Sequence, residues 1–169
     1  TEQSDDLLGD ASDNDIDLLG GNDVYNGLGG NDTIKGGNGL DILQGGKGRD
    51  TINGGNDFDR ILGEEGNDRL FGDNGDDRVI GGAGNDRIFG GKGKDDLRGE
   101  TGNDRIKGGA GKDKIKGDDG NDRIDGGKGN DEIEAGGGRD ILKGGAGKDV
   151  FVFNKNDDDN RIRDFEDNR

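Results

Sequence analysis

The chain has no cysteine, proline, methionine, tryptophan or histidine among its 169 residues, and only one tyrosine. Without cysteine there are no disulfides and no thiolate metal sites, and without histidine the imidazole ligands of zinc, copper and haem are missing too. Hydrophobic residues make up 24%, roughly half the share of an ordinary globular domain. No run approaches the roughly 20 apolar residues of a membrane helix. The sequence opens with neither Met nor a charged–apolar–small leader, so it is expected to be a segment of a longer protein with adjoining domains. Its only serines are Ser4 and Ser12, which leaves no Ser–His or Cys–His nucleophile. Carboxylates abound in the pairs a glycosidase uses, but each has a better use as a ligand. The module itself is not expected to be an enzyme.

What is present is glycine, 40 residues, and charge, 38% of residues with a formal balance of −16. Low hydrophobicity with high net charge by itself predicts disorder. Here, however, the charge recurs at fixed spacing. The unit is clearest in Gly81-Gly82-Ala83-Gly84-Asn85-Asp86-Arg87-Ile88-Phe89, a Gly-rich turn closed by an aspartate and followed by three residues with one aliphatic in the middle. From 27 to 152 the nine-residue frame runs through fourteen units without an insertion. The sixth position is aspartate in all of them: Asp32, Asp41, Asp50, Asp59, Asp68, Asp77, Asp86, Asp95, Asp104, Asp113, Asp122, Asp131, Asp140 and Asp149. The eighth is always apolar, from Ile34 to Phe151.

Residues 1–26 are a worn lead-in. Asp5 and Asp23 are in register, Asn14 replaces the aspartate between them, and Leu7, Ile16 and Tyr25 take the aliphatic position. Residues 153–169 follow the apolar Phe151-Val152-Phe153 and are expected to cap the open end. Positions seven to nine predict a three-residue strand with one buried side chain, and positions one to six a glycine-permitted turn. One apolar residue buries almost nothing, so no unit folds alone. Stacked units would form a ladder of aliphatics, with strands about 4.8 Å apart.

This frame resembles the calcium-binding nonapeptide G-G-x-G-x-D-x-U-x of the RTX (repeats-in-toxin) proteins over most of the chain. The resemblance implies an all-β fold, a parallel β-roll built as a right-handed β-helix-like solenoid with 18 residues per coil and calcium in the turns along both edges. Ile162-Arg163-Asp164-Phe165 is similar to the segment that follows such arrays. The resemblance further implies that each ion lies between two turns on one edge, eighteen residues apart. The first turn supplies its Asp and the carbonyls of positions two and four; the second supplies its own Asp and the carbonyls of positions one and three. For one pair these are Gly82, Gly84 and Asp86 with Gly99, Thr101 and Asp104.

Carried along the array, the first-position carbonyls are those of Gly36, Gly45, Gly54, Gly63, Gly72, Gly81, Gly90, Gly99, Gly108, Gly117, Gly126 and Gly144. Second-position carbonyls come from Gly37, Gly46, Gly55, Gly82, Gly91, Gly109 and Gly127. Lys47, Ala83, Lys92, Thr101, Ala110, Lys128, Gly137 and Ala146 stand at the third. At the fourth are Gly30, Gly39, Gly48, Gly66, Gly75, Gly84, Gly93, Gly102, Gly111, Gly120 and Gly129. Leu28, Asp57, Glu64, Asp73, Glu100, Asp118 and Ala135 replace turn glycines.

Calcium is a hard ion that takes six to eight oxygens from carboxylates and carbonyls, a mixture these turns provide, whereas magnesium keeps more water. The competing reading treats the aspartates as turn formers only. Fourteen units paired two apart make about twelve ions, with a thirteenth at Gly21 and Asp23. Twelve divalent ions would turn the formal −16 into about +8. The expectation is a chain that is unfolded without calcium and folds on binding it. By the same resemblance it is secreted by a bacterial type I system and folds outside the cell.

Outward residues sort by face, because alternate units lie on opposite sides. One face carries Thr33, Thr51, Arg69, Arg87, Arg105, Arg123 and Ile141, with Phe71 and Phe89 beside them. The plain reading is solubility and edge protection. The other is a surface for an anionic polymer, since arginine forks grip carboxylates and alginate epimerase repeat modules of the same family contact an acidic polysaccharide. Nucleic acid is not an expected partner. An ice-binding or adhesin surface would need regular outward Thr or Asn ladders, and the threonines stop at Thr51.

Overall fold

The structure, a computed structural model, describes residues 3–154 and 160–164. Successive strands alternate between two nine-stranded parallel sheets. Within each sheet the partner lies eighteen residues away, as in Arg87↔Arg105 and Ile88↔Ile106. The chain is thus a β-solenoid with two units per coil.

The period dictates this arrangement. A strand with one inward residue cannot form a core alone, and eighteen residues bring the next inward residue directly above it. Leu43, Ile61, Val79, Leu97, Ile115 and Ile133 line one sheet, and Ile34, Ile52, Leu70, Ile88, Ile106, Ile124 and Leu142 the other. All of these are at most 2% exposed. Ile16, Phe151 and Ile162 pack partly buried at the two ends. Each buried aliphatic contributes about 1.5–3 kcal/mol, and only stacking collects that energy.

The strands are longer than the sequence suggests. Most span six residues, as in Arg87–Lys92, and continue through positions one to three of the next unit. Gly91↔Gly109 and Lys92↔Ala110 pair as regularly as Ile88↔Ile106. The turn proper therefore shrinks to positions four to six. Glycine composition hid this, because the pairing here is purely backbone. At Glu132–Glu134 the strand stops after three residues, where Ala135 stands in place of the first glycine.

The residues that replace turn glycines otherwise adopt the glycine conformation. Leu28, Asp57, Glu64, Asp73, Glu100 and Asp118 have φ between 64° and 75°, left-handed backbone that costs a non-glycine residue roughly 1 kcal/mol. The lead-in residues also join the roll: Asp6–Leu8, Asp15–Asp17 and Val24–Asn26 pair as strands. At the other end Arg161–Ile162 adds to the strand Ile141–Ala146. Residues 155–159 and 165–169 of the proposed capping segment, Phe165 among them, lie outside the described residues.

Candidate metal centres

The turns carry a column of buried carboxylates. Asp86 is 1% exposed. Its Oδ1 accepts the amide N–H of Asp68, one coil back, at 2.8 Å, while its own amide donates to Oδ1 of Asp104, one coil on, also at 2.8 Å. The same link repeats along both edges, from Asp23 N to Asp41 Oδ1 through Asp122 N to Asp140 Oδ1. It needs an acceptor on a two-carbon side chain, which Asp supplies throughout the regular array.

The second oxygen is left over. In Asp23, Asp32 and every later member of the column through Asp131, Oδ2 is buried without a hydrogen-bond partner. Leaving a charged oxygen dry and unpaired is expensive. From Asp32 to Asp131, each Oδ2 is aimed at a gap beside its own turn's first glycine. A Cβ on Gly81 would fall 2.4 Å from Asp86 Oδ2 and 2.8 Å from the Gly99 carbonyl oxygen. Both oxygens therefore converge where glycine lacks a side chain.

Backbone oxygens face the same gap from both turns. A Cβ on Gly102 would lie 1.6 Å from the Gly84 carbonyl oxygen, so the fourth-position carbonyl points at the next coil. The second-position carbonyl does likewise: that of Glu64 would lie 2.2 Å from a Cβ on Gly82. From the opposite side, the Thr101 carbonyl accepts the Gly84 amide at 2.8 Å. First- and third-position carbonyls thus look back while second- and fourth-position carbonyls look forward.

Burial pushes these carboxyls above the usual carboxylate range. Asp59 is raised to about 8, Asp68, Asp113 and Asp122 to about 7, and Asp77, Asp95 and Asp104 to about 6. Desolvation is the largest cause in each, opposed by the amide bond to Oδ1; for Asp122 the charges of Asp104, Asp140 and Asp118 raise it further. A divalent cation in the gap would offset both the burial and the mutual repulsion. Among the described residues no three acidic, His or Cys side chains come together, so an ion held here depends mainly on backbone carbonyls. That donor set is all oxygen and suits a hard cation. The residues present fit calcium.

Several contributors carry no periodic signal. The next aspartate frame position after Asp149 is 158, but it is Asn160 whose Oδ1 accepts the Asp140 amide, at 2.8 Å and twenty residues on. Asp164 accepts the amides of Gly144 and Gly145 at 2.9 and 3.0 Å and closes the last coil. Asp149 is only half-buried there. On one edge the fifth position adds a second ladder: Asn67, Asn85 and Asn103 each accept the amide of the residue eighteen on. Their repetition was visible in the sequence, but the use of their oxygens was not.

The arginine column forms as expected, with Arg69, Arg87, Arg105 and Arg123 direct neighbours in one sheet, all exposed. Phe71 and Phe89 stack beside it, ring centres 5.0 Å apart and planes within 6°, and the Arg69 guanidinium lies 5.8 Å from the Phe71 ring centre.

A family model described as RTX calcium-binding nonapeptide repeat (4 copies) matches residues 1–34, 26–61, 35–70, 62–97, 71–106, 98–133 and 125–159. No curated protein matches the chain. With matches running through the worn first coils as well as the regular array, and with the carboxylate-lined turns the frame creates, the chain belongs to the RTX calcium-binding nonapeptide repeat family, whose β-roll is a calcium-binding structural module.

Proposed function

We propose that the chain folds on binding about twelve calcium ions, one in each gap between like turns of the regular array, and serves as the folding and structural module of a larger secreted bacterial protein. The observation that carries this reading is the column of buried Oδ2 atoms without partners. Each ion would be held by two carboxylates and four carbonyls, as between Gly82, Gly84, Asp86 and Gly99, Thr101, Asp104. The bound ion supplies positive charge where the burial of so many carboxylates otherwise opposes folding. Extracellular calcium modules bind at about 10⁻⁴–10⁻³ M, a range that would leave the chain open inside a cell and closed outside. Catalysis, if the parent has any, belongs to another domain. Circular dichroism through a calcium titration from EDTA tests the folding claim, and calorimetry counts the ions. A full β signal in EDTA would sink the coupling of folding to binding, and a count near zero would sink the module itself.

A second reading concerns the arginine face. Ion pairs among the described residues use lysines or Arg98, and none uses Arg69, Arg87, Arg105 or Arg123. In so acidic a chain, four cations in register that form no ion pair among the described residues favour an external polyanion. A calcium-loaded roll would present them at about 4.8 Å intervals, suited to an extended acidic polysaccharide. Binding to alginate that survives Arg87→Glu with Arg105→Glu would count against this surface.

A further inference from the structure

At the N-terminal end of the roll one gap between turns is built differently from the rest. It lies between residues 9–14 and residues 27–32, where Asn14 stands at the aspartate position and Tyr25 at the aliphatic one. In a regular gap, a Cβ on the first glycine meets one aspartate Oδ2 and one carbonyl, as at Gly81. On Gly9 it would meet three oxygens: Asn14 Oδ1 at 2.4 Å, the Gly27 carbonyl at 2.7 Å and the Tyr25 hydroxyl at 2.7 Å. The additional oxygen carries a proton.

That proton has a defined place. The Tyr25 hydroxyl donates to Asn14 Oδ1 at 3.1 Å, and the same oxygen accepts the Asp10 amide at 3.2 Å. The column from Asp23 to Asp131 leaves an inward oxygen without a partner, whereas the inward oxygen of Asn14 has two. Tyr25 is 2% exposed and sits in the column of Leu43, to which it is paired. Only a side chain as long as tyrosine reaches from that column into the turn. Asn14 itself brings no charge, and the remaining carboxylate, Asp32, already accepts the Asn14 amide at 2.8 Å.

We propose that this gap takes no calcium, and that the hydrogen bond from the Tyr25 hydroxyl to Asn14 closes it in the ion's place. Tyr25 and Asn14 together decide where the calcium column begins on this edge, and the first coil is held there by protein atoms alone. The proposal rests on the calcium reading of the regular turns.

The test is a crystal structure of the calcium-loaded chain beside three variants, with amide hydrogen exchange in solution. Wild type is expected to show calcium in the gaps from residues 27–32 onward and none between 9–14 and 27–32. Asn14→Asp with Tyr25→Ile, which restores the repeat's usual residues, is expected to gain one ion there. Asn14→Asp alone is expected to gain none, because the hydroxyl still fills the gap. Tyr25→Phe is expected to leave the ions unchanged and to speed exchange of the Asp10 amide several-fold. Calcium in that gap of wild type or of Asn14→Asp alone, no gain in the double variant, or unchanged exchange in Tyr25→Phe would each overturn the proposal. Absence of calcium from every gap would instead overturn the reading on which it rests.

Discussion

The amide of Asp86 donates to Oδ1 of Asp104, eighteen residues on, at 2.8 Å, while Oδ2 of Asp86 is buried without a partner. One aspartate therefore faces two gaps: Oδ1 serves the coil behind and Oδ2 opens toward the coil ahead. Changing it should disturb both. Asp86→Asn keeps a possible acceptor but removes the charge, and is expected to raise the calcium midpoint of folding several-fold. Asp86→Ala also strands the Asp68 amide, a cost of about 1–3 kcal/mol, and is expected to do more and to lower the ion count by up to two. Asp149→Ala, half-buried at the end of the column, is expected to do least. Calcium titrations followed by circular dichroism order the three.

Acid should partly replace calcium. The folded-state values near 6 to 8 for Asp59, Asp68, Asp95 and Asp122 lie above the ordinary 3.8, so the folded state favours their neutral forms. The stability this gives the metal-free roll is complete below about pH 4 and is lost as pH rises through 6 to 8. In EDTA, β signal is expected to grow from pH 8 to pH 4. With calcium the sign reverses, because protons compete for the same oxygens, and the calcium midpoint is expected to rise as pH falls from 8 to 6.

Glycine matters unequally around the turn. A methyl on Gly81 would intrude on Asp86 Oδ2 and the Gly99 carbonyl, whereas on Gly137 it would meet only Asp119 Oδ1 at 3.5 Å, an ordinary contact. Gly81→Ala is expected to cost one ion and to raise the calcium midpoint. Gly137→Ala is expected to stay within about 0.5 kcal/mol of wild type, measured by denaturant unfolding in saturating calcium.

The core is one side chain wide on each sheet, so a cavity cannot be shared with many neighbours. Ile124→Ala, at a position 1% exposed, is expected to destabilise the calcium-loaded roll by about 2–5 kcal/mol. Equilibrium unfolding in calcium checks the value.

Most of the fold was legible because one period governs the carboxylates, the core and the faces at once. Asp86, Ile88 and Arg87 could each be assigned an edge, the interior or a surface by counting nines. What could not be read is whatever departs from the frame or uses only backbone. The pairing of Gly91 with Gly109 leaves no side-chain trace. Asn160 stands two residues out of step with the frame. Tyr25 reads as another core residue until its hydroxyl is placed against Asn14, since its ring keeps the apolar position while its polar end works in the turn.

The hydrogen bonds that join like turns span seventeen to nineteen residues along the regular array, and nineteen to twenty-one at the last coil. Among the described residues, no turn is tied to one farther along than its nearest neighbour on the same edge. A coil can thus be completed once the next eighteen residues are available, and order must travel along the chain as a front. A chain delivered end first could fold in the sequence of its delivery, without waiting for its other end. Conversely, a coil disabled in mid-array would leave two shorter rolls that melt independently, instead of one roll that is uniformly weaker.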